Sequence, residues 1–383
     1  MILPALFMGL VAAAWLPSFG YVLFLMIAAR RRGAGSESPT SFPLVAVVIP
    51  TLNEAPWIDR KLDNLRGLDY PSERLRVLVV DGGSEDGTTN RVSDRIRRGE
   101  AIRLIETGRR GGKAAQLNRA FAELEQQFIV VTDADTELEP ACVAALVAQL
   151  ESDPMTGIVG AVVCPRTELV EEQVHWAFLN WIWWLEGEAW SAPGLSGVCY
   201  AVRRSAFSDL AQVEAEDIHL ALHVAARGFR VRICPRARAL ELRVPQTAAG
   251  FLQFRRRRGG RYLAALSHPC DENLGPRVWR AARWVRRGQM TWLAHLVAGV
   301  VLLAGALIAS RQWRWPAAAA VWLAFSWVPL LLATHRSPWY EGEAGLLRWG
   351  WAGIRCFFLT LASLLLMRAS PLVTAPTEGD RRC

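Results

Sequence analysis

The sequence predicts an α/β fold with a mainly parallel sheet, and transmembrane helices at both ends of the chain. Three observations predict it. Between residues 44 and 263, short apolar runs typical of buried strands alternate with segments of helical periodicity. Uncharged stretches long enough to cross a bilayer precede and follow that region. Hydrophobic residues make up 52% of the 383 residues, and the mean hydropathy is positive.

The basic residues are almost all arginine. Lys61 and Lys113 are the two lysines among 44 basic residues, and the formal net charge is +8. Such a bias is typical of genome-wide codon usage, so the arginines by themselves say little and the two lysines say more. The seven cysteines show no Cys-x-x-Cys spacing, which argues against a disulfide scaffold or a zinc site.

The N-terminal segment, residues 1–29, is predicted to be a membrane anchor. It has no charged residue, and arginines follow at 30–32. A secretory signal carries its positive charge before the apolar run, not after it. The positive-inside rule places these arginines in the cytoplasm and the N-terminus outside. Residues 30–43 are predicted to be a linker rich in Gly, Ser and Pro.

The central region, residues 44–263, is predicted to be a cytosolic α/β domain. Predicted strands lie at 44–49, 75–80, 101–105 and 128–131, and predicted helices at 57–68 and 114–126. Polar residues follow several of these strands. In an open parallel sheet, ligands bind beyond the carboxyl ends of the strands, so we expect a binding site at this edge.

Two carboxylates, Asp133 and Asp135, follow the strand at 128–131. Alternation in an extended segment points both side chains to the same side, which suits one hard cation. The alternative is a turn with two solvated acids.

Four short motifs rich in polar residues and glycine follow one another between residues 50 and 135. They are residues 50–54 (Pro-Thr-Leu-Asn-Glu), 79–88 (Val-Val-Asp-Gly-Gly-Ser-Glu-Asp-Gly-Thr), 112–118 (Gly-Lys-Ala-Ala-Gln-Leu-Asn) and 133–135 (Asp-Ala-Asp). In this order they resemble the family 2 glycosyltransferases of the GT-A fold, over roughly residues 44–263. Residues 215–217 (Ala-Glu-Asp) resemble the family's Thr-Glu-Asp motif. Residues 253–257 (Gln-Phe-Arg-Arg-Arg) resemble its Gln-x-x-Arg-Trp motif, with Arg257 in place of tryptophan.

The resemblance implies inverting transfer of a sugar from a UDP- or GDP-sugar, with a divalent cation, Mg²⁺ or Mn²⁺. Asp133 and Asp135 would hold the cation, which would stabilise the charge that grows on the departing diphosphate. The expected donor-binding residues are Thr51, Glu54, Asp81, Lys113 and Asp133. The alternatives are a solvated loop lysine at 113 and helix capping by the polar loop residues.

Transfer also needs a base that takes the proton of the acceptor hydroxyl. Within the motif series, Asp217 is the expected base and Glu216 its support. The alternative is a charged helix N-terminus favoured by the helix dipole.

The expected acceptor-binding residues are Gln253, Arg256 and Arg257. Tryptophan serves processive members of the family near the acceptor sugar, so arginine at 257 puts processivity in doubt. Arginine better suits an anionic group such as the phosphate of a lipid-linked acceptor. We therefore expect one or a few sugars per acceptor, which would be a lipid, a lipid-linked sugar or a glycan at the inner membrane face.

The C-terminal part is predicted to be membrane-embedded. Arginines and tryptophans at 264–288 favour an interfacial segment on anionic lipid over a nucleic-acid site. Residues 289–368 are predicted to hold three spans, at 289–310, 315–334 and 349–367, before a tail at 369–383. With the anchor this makes four spans and an external C-terminus. The protein is expected to be a multi-pass protein of the plasma (inner) membrane with a cytoplasmic catalytic domain.

Two other functions stay open. One is a processive polysaccharide synthase that exports its product. The other is a non-catalytic, membrane-bound nucleotide-sugar-binding protein, against which the intact acids at 81, 133, 135 and 217 argue.

Overall fold

A computed structural model describes residues 2–29, 42–108, 112–207, 216–267, 277–335, 338–340 and 342–366. Several predicted features lie outside these ranges. They are most of the linker with its arginines at 30–32, the loop residues 109–111, Ala215, and the tail from 367 onward.

One eight-stranded sheet forms the centre of the described chain. Its strands are β1 (Val45–Thr51), β2 (Leu75–Asp81), β3 (Ile102–Glu106), β4 (Phe128–Thr132), β5 (Thr136–Leu138), β6 (Thr156–Pro165), β7 (Cys199–Arg203) and β8 (Arg230–Glu241). Their order in the sheet is β3-β2-β1-β4-β7-β6-β8-β5. The four strands predicted from the sequence, β1 to β4, pair in parallel at one end.

The other half of the sheet makes it mixed. Strand β7 runs antiparallel to both β4 and β6, and β5 runs antiparallel to β8, whereas β6 and β8 are parallel. Strand β1 is buried along its whole length. This agrees with its continuous apolar run, because a strand covered on both faces has no solvent side for polar residues.

Helices cover the sheet. They are α3 (Ile58–Arg66), α4 (Thr88–Arg97), α5 (Gly112–Glu123), α6 (Cys142–Ser152), α7 (Val170–Ala189), α8 (Glu216–Ala226) and α9 (Ala248–Ser267). Helices α3 and α5 correspond to the two predicted from periodicity. Helix α7 holds the tryptophan-rich segment, and Trp176, Trp181 and Trp183 are buried in the core.

The N-terminal segment forms one broken helix. Helix α1 (Ile2–Trp15) and helix α2 (Tyr21–Ala29) are joined by a π-helical turn at Leu16–Gly20. Pro17 lies in that turn, and a proline removes a backbone hydrogen bond from the helical ladder. Helix α1 packs on a C-terminal helix, α11 (Leu293–Ala309), while α2 packs on α7 of the sheet domain.

The C-terminal part is helical. Helix α10 (Arg277–Thr291) precedes α11, and α12 (Arg314–Thr334) and α13 (Leu346–Leu365) follow it. Judged by length and apolar composition, the described chain has two helical segments able to cross a bilayer, Ile2–Ala29 and Arg314–Thr334. A third is possible if Arg280–Thr291 and Leu293–Ala309, which meet at 49°, together make one span.

Helix α13 differs from the predicted span at 349–367. It is not among the segments able to cross a bilayer, and it packs against α7 and α9 of the sheet domain. Arg355, near its middle, forms an ion pair of 2.9 Å with Glu171 at the start of α7. Its arginines and its packed face distinguish this helix from a segment surrounded by lipid.

Candidate functional site

The ends of β1 and β2 bring Thr51 and Asp81 together. Asp81 is buried and accepts hydrogen bonds from Thr51 Oγ1 (3.0 Å) and from the backbone N–H groups of Gly83 (2.9 Å) and Ser84 (2.7 Å). The Ser84 hydroxyl donates a further bond of 2.5 Å. Asp81 therefore shapes the glycine-rich loop at the strand end, whatever it contributes to a ligand.

Lys113 lies between two carboxylates that are 83 residues apart in the sequence (216 − 133). Its Nζ is 2.7 Å from Asp133 Oδ1 and 3.1 Å from Glu216 Oε1, and it donates to the Gly197 carbonyl at 3.1 Å. Desolvation lowers the pKa of Lys113, but the charges of Asp133 and Glu216 outweigh it and leave the pKa well above its ordinary value. The lysine is therefore a permanent cation, and the interpretation of a solvated loop lysine is wrong.

Asp217 begins α8 beside this ion-paired group but has a different environment. Its Oδ2 accepts the Gly197 N–H at 2.7 Å and its Oδ1 accepts the Ile218 N–H at 2.8 Å. Desolvation, followed by the charge of Glu216, raises the pKa of Asp217 to about 6. A carboxylate with this pKa is suited to accept a proton near neutral pH.

Gly197 separates these two groups. A Cβ atom there would lie 3.0 Å from Asp217 Oδ2 and 3.1 Å from Lys113 Nζ. A larger residue at 197 would therefore require the lysine or the aspartate side chain to shift.

Asp133 and Asp135 flank the turn between β4 and β5. Asp135 Oδ2 lies 3.1 Å from Arg243 Nε, and Arg243 also binds the Glu54 carboxylate. Burial and the neighbouring charge of Asp133 raise the pKa of Asp135, and burial raises that of Glu54. The positive charge of Arg243 lowers both pKa values, but burial outweighs it.

The two aspartates fit a divalent cation that arrives with a diphosphate. Among the described residues, no group of three or more His, Cys, Asp or Glu side chains is placed to hold a metal alone. Mg²⁺ commonly takes only one or two protein carboxylates and completes its shell with phosphate oxygens and water. A bound cation would lower the pKa of Asp135, which burial and the charge of Asp133 raise.

The chain is similar to known glycosyltransferases. Residues 46–211 match the family described as glycosyl transferase family 2. A mannosyltransferase of Pyrobaculum calidifontis, solved with GDP-Man and Mn²⁺, superposes with a TM-score of 0.69 at 26% identity, covering 94% of this chain and 99% of that one. Residues 46–211 thus resemble a family 2 glycosyltransferase domain. The predicted GT-A fold class is confirmed.

Two curated relatives differ in how much of their length this chain covers. A probable glycosyltransferase of Bacillus subtilis, YdaM, is 30% identical over 242 residues, which are 59% of this chain and 57% of that protein. The chain thus spans little more than half of that relative. An N-acetylglucosaminyl-diphospho-decaprenol L-rhamnosyltransferase of Mycobacterium tuberculosis is 27% identical over 300 residues, covering 67% of this chain and 92% of the relative.

The expected acceptor-binding residues lie on helix α9. Gln253, Arg256 and Arg257 are all exposed, and the Arg257 guanidinium lies 5.5 Å from the Phe254 ring centroid. Within the described ranges, no hydrogen bond or ion pair links the three to Lys113 or its partners. The structure therefore places them on the surface of one helix and leaves their role as a prediction.

The same helix holds two arginines that the motif comparison did not single out. Arg255 is buried and paired with Glu172, and Arg258 pairs with Glu241 at 2.6 Å. Both form ion pairs with residues of the sheet domain, whereas Arg256 and Arg257 are exposed. The run of arginines on α9 therefore has a packed face and an exposed face.

Three further site residues were missed by sequence reasoning. Arg243 was one arginine among many, and Gly197 was assigned no role. Tyr200 lies inside a strand, fully buried, and its hydroxyl has no hydrogen-bond partner within the described structure. Burial raises the pKa of Tyr200, while the nearby charge of Lys113 lowers it. The structure identifies Gly197 and Tyr200 by their proximity to Lys113, and Arg243 by its ion pair with Asp135.

Proposed function

We propose that the chain transfers a sugar, with inversion, from a nucleoside diphosphate sugar to a lipid-linked or other amphiphilic acceptor at the inner membrane face. The observation that carries this proposal is the convergence of Lys113, Asp133 and Glu216 on one point, with Asp217 of raised pKa beside it. Cation and base are the two parts that direct displacement of a diphosphate requires.

The donor side is built by the ends of the parallel strands. Lys113 supplies a fixed positive charge for the diphosphate, and Asp133 with Asp135 would hold Mn²⁺ or Mg²⁺. When bound, such a cation stabilises the negative charge of the departing diphosphate. Thr51, Glu54 and Asp81, at the adjoining strand ends, are assigned to the base and ribose. The relative solved with GDP-Man and Mn²⁺ supports both the ligand class and the metal.

Asp217 is assigned to the acceptor hydroxyl. Its two backbone hydrogen bonds fix the carboxylate, and its pKa of about 6 leaves it ionised at neutral pH but able to take a proton. Glu216 neutralises Lys113 and raises the pKa of Asp217, which is a supporting role.

The acceptor and the location follow from the outer helices. Residues 2–29 and the apolar C-terminal helices would hold the domain 44–263 at the cytoplasmic face of the membrane. The decaprenol-linked acceptor in the name of the mycobacterial relative supports a lipid-linked substrate. Gln253, Arg256 and Arg257 on α9 would face such an acceptor, and arginine at 257 favours one or a few transfers over a long polymer.

Release of nucleotide from a panel of UDP- and GDP-sugars by the purified full chain in nanodiscs tests the proposal. We expect release with one donor, loss of release with excess EDTA, and recovery with Mn²⁺ or Mg²⁺. Asp135→Asn should abolish turnover with the fold intact, whereas Asp94→Asn, at an exposed carboxylate, should not. Full activity in excess EDTA would contradict the metal role, and a long polymer by mass spectrometry would contradict limited transfer.

A further inference from the structure

Lys61 is the second of the two lysines, and it lies inside the protein. It is on α3 and only 1% exposed, which makes it one of the largest fully buried side chains of the described structure. Its Nζ donates to Thr132 Oγ1 at 2.8 Å and to the Thr136 carbonyl at 2.9 Å.

These two acceptors are the ends of one turn. Thr132 is the last residue of β4 and Thr136 is the first residue of β5, so Asp133, Ala134 and Asp135 lie between them. One ammonium group thus ties together both ends of the segment that presents the two carboxylates. A change in the distance between these ends would change the spacing of Asp133 and Asp135.

The charge of Lys61 has no close counter-ion. Within the described ranges, no carboxylate lies within ion-pair distance of its Nζ, and both hydrogen-bond acceptors are neutral. Burial lowers the pKa of Lys61 to about 8, which leaves the group protonated at neutral pH. A buried charge is costly, so an apolar side chain would serve a purely structural role better.

The choice of lysine in an arginine-rich protein agrees with this arrangement. A guanidinium carries five N–H donors in a rigid plane, and a buried site with two acceptors would leave several of them without partners. An ammonium needs fewer partners and fits between one hydroxyl and one carbonyl.

We infer that Lys61 is a positioning residue of the cation and diphosphate site, which sets the spacing of Asp133 and Asp135 from beneath the turn. The inference rests on the proposed function, because it assigns the turn to cation binding. Residues that orient metal ligands typically contribute 10- to 100-fold to metal affinity.

The test measures Mn²⁺ binding by the full chain in detergent. Electron paramagnetic resonance detects the bound ion, in the presence of GDP and, separately, of UDP. In Lys61→Met we expect the Mn²⁺ dissociation constant to rise about 10- to 100-fold. Arg60→Met is the matched control. This variant removes a positive charge at the preceding position, from an exposed side chain that contacts Glu137 on the surface. It should leave the Mn²⁺ affinity unchanged.

A second pair of variants tests the same contact from the other side. Thr132→Val removes the acceptor of Lys61 and should weaken Mn²⁺ binding, whereas Thr132→Ser keeps the hydroxyl and should bind as the wild type does. This pair decides the question if Lys61→Met does not fold. Unchanged or tighter Mn²⁺ binding by folded Lys61→Met, or by Thr132→Val, would overturn the inference. Absence of Mn²⁺ binding by the wild type would instead overturn the metal role itself, and this inference with it.

Discussion

At the scale of single residues, the adjacent carboxylates of Glu216 and Asp217 differ in their contacts and therefore in their proposed roles. Glu216 pairs with Lys113, whereas Asp217 accepts only backbone N–H groups among the contacts of the described chain. The pKa of Asp217, about 6, lies above its value in an unfolded chain. Its contribution to stability is therefore full below the unfolded pKa and is lost as the pH rises through about 6. At neutral pH the ionised group costs stability, which is typical of a functional residue.

Asp217→Asn should accordingly lose activity without losing stability. We expect transfer to fall about 10²- to 10⁴-fold, as for a lost general base, with donor affinity retained and an unfolding midpoint at pH 7 that is unchanged or higher. In the wild type, kcat/KM should fall as the pH drops below about 6. Steady-state kinetics against pH and thermal unfolding measure this. A collapse of donor affinity with a normal rate at saturation would assign Asp217 to the donor site.

Gly197→Ala should damage the site while leaving the fold in place. The added Cβ would meet Asp217 Oδ2 at 3.0 Å and Lys113 Nζ at 3.1 Å, closer than most such contacts, so one of them must move. We expect a loss of turnover with a small change in the unfolding midpoint. Gly288→Ala, where a Cβ would meet nothing within 4 Å, is the control. Wild-type kinetics in Gly197→Ala would show that the spacing is not critical.

At the scale of elements, helix α7 joins the sheet domain to the outer helices through buried charges. Glu171 binds Arg355 of α13, and Glu172, which is fully buried, binds Arg255 of α9. Farther along α7, Glu186 accepts a hydrogen bond from Tyr21 of α2 at 2.7 Å and pairs with Arg286 of α10 at 3.0 Å. These contacts fix α2, α9, α10 and α13 relative to α7 of the sheet domain.

Glu172→Gln should destabilise the protein strongly. Loss of one partner leaves the buried Arg255 guanidinium without a counter-ion, which typically costs about 3–5 kcal/mol. Asp94→Asn, at the exposed pair with Arg97, should cost about 1 kcal/mol or less. Denaturant unfolding of both variants in the same detergent measures the difference. Equal stabilities would mean that α7 and α9 do not depend on this pair.

At the scale of the whole molecule, the contacts of α13 change the predicted topology. Arg355 ties the middle of this helix to Glu171 in the sheet domain. Only ten residues of the helix follow it (365 − 355), and at about 1.5 Å per residue they reach about 15 Å. The hydrocarbon core is about 30 Å thick. The packed face of α13 and its exposed Leu347, Trp351 and Phe358 therefore favour a helix at the membrane surface over a fourth span.

The C-terminus should therefore lie on the same side as the catalytic domain, and not outside as the count of four spans predicted. A reporter fused after Thr40 should be cytoplasmic, one at Arg311 outside, and one at the C-terminus cytoplasmic. The fusion at Arg311 is the internal control, because its location depends on the N-terminal helix and on α11 but not on α13. An external C-terminal reporter would restore the fourth span.

The sequence by itself determined the parallel half of the fold. Strands β1 to β4 and helices α3 and α5 follow from local periodicity, and Thr51, Asp81 and Asp133 follow from the ends of those strands. These features are local, because alternation and turn chemistry within a few residues decide them. Residue type alone also marked both lysines as unusual.

Only the tertiary structure decided which of these residues meet. Strand β7, which is antiparallel to β4, places Gly197 beside Lys113, and helix α8 brings Glu216 and Asp217 to the same place. The segment after β8 brings Arg243 to Asp135. Packing against α7 and α9 distinguishes α13 from a lipid-surrounded span, although its apolar composition resembles one. The physical reason is that desolvation, ion pairing and the choice between protein and lipid as a neighbour depend on segments far apart in the chain. No local pattern contains that information.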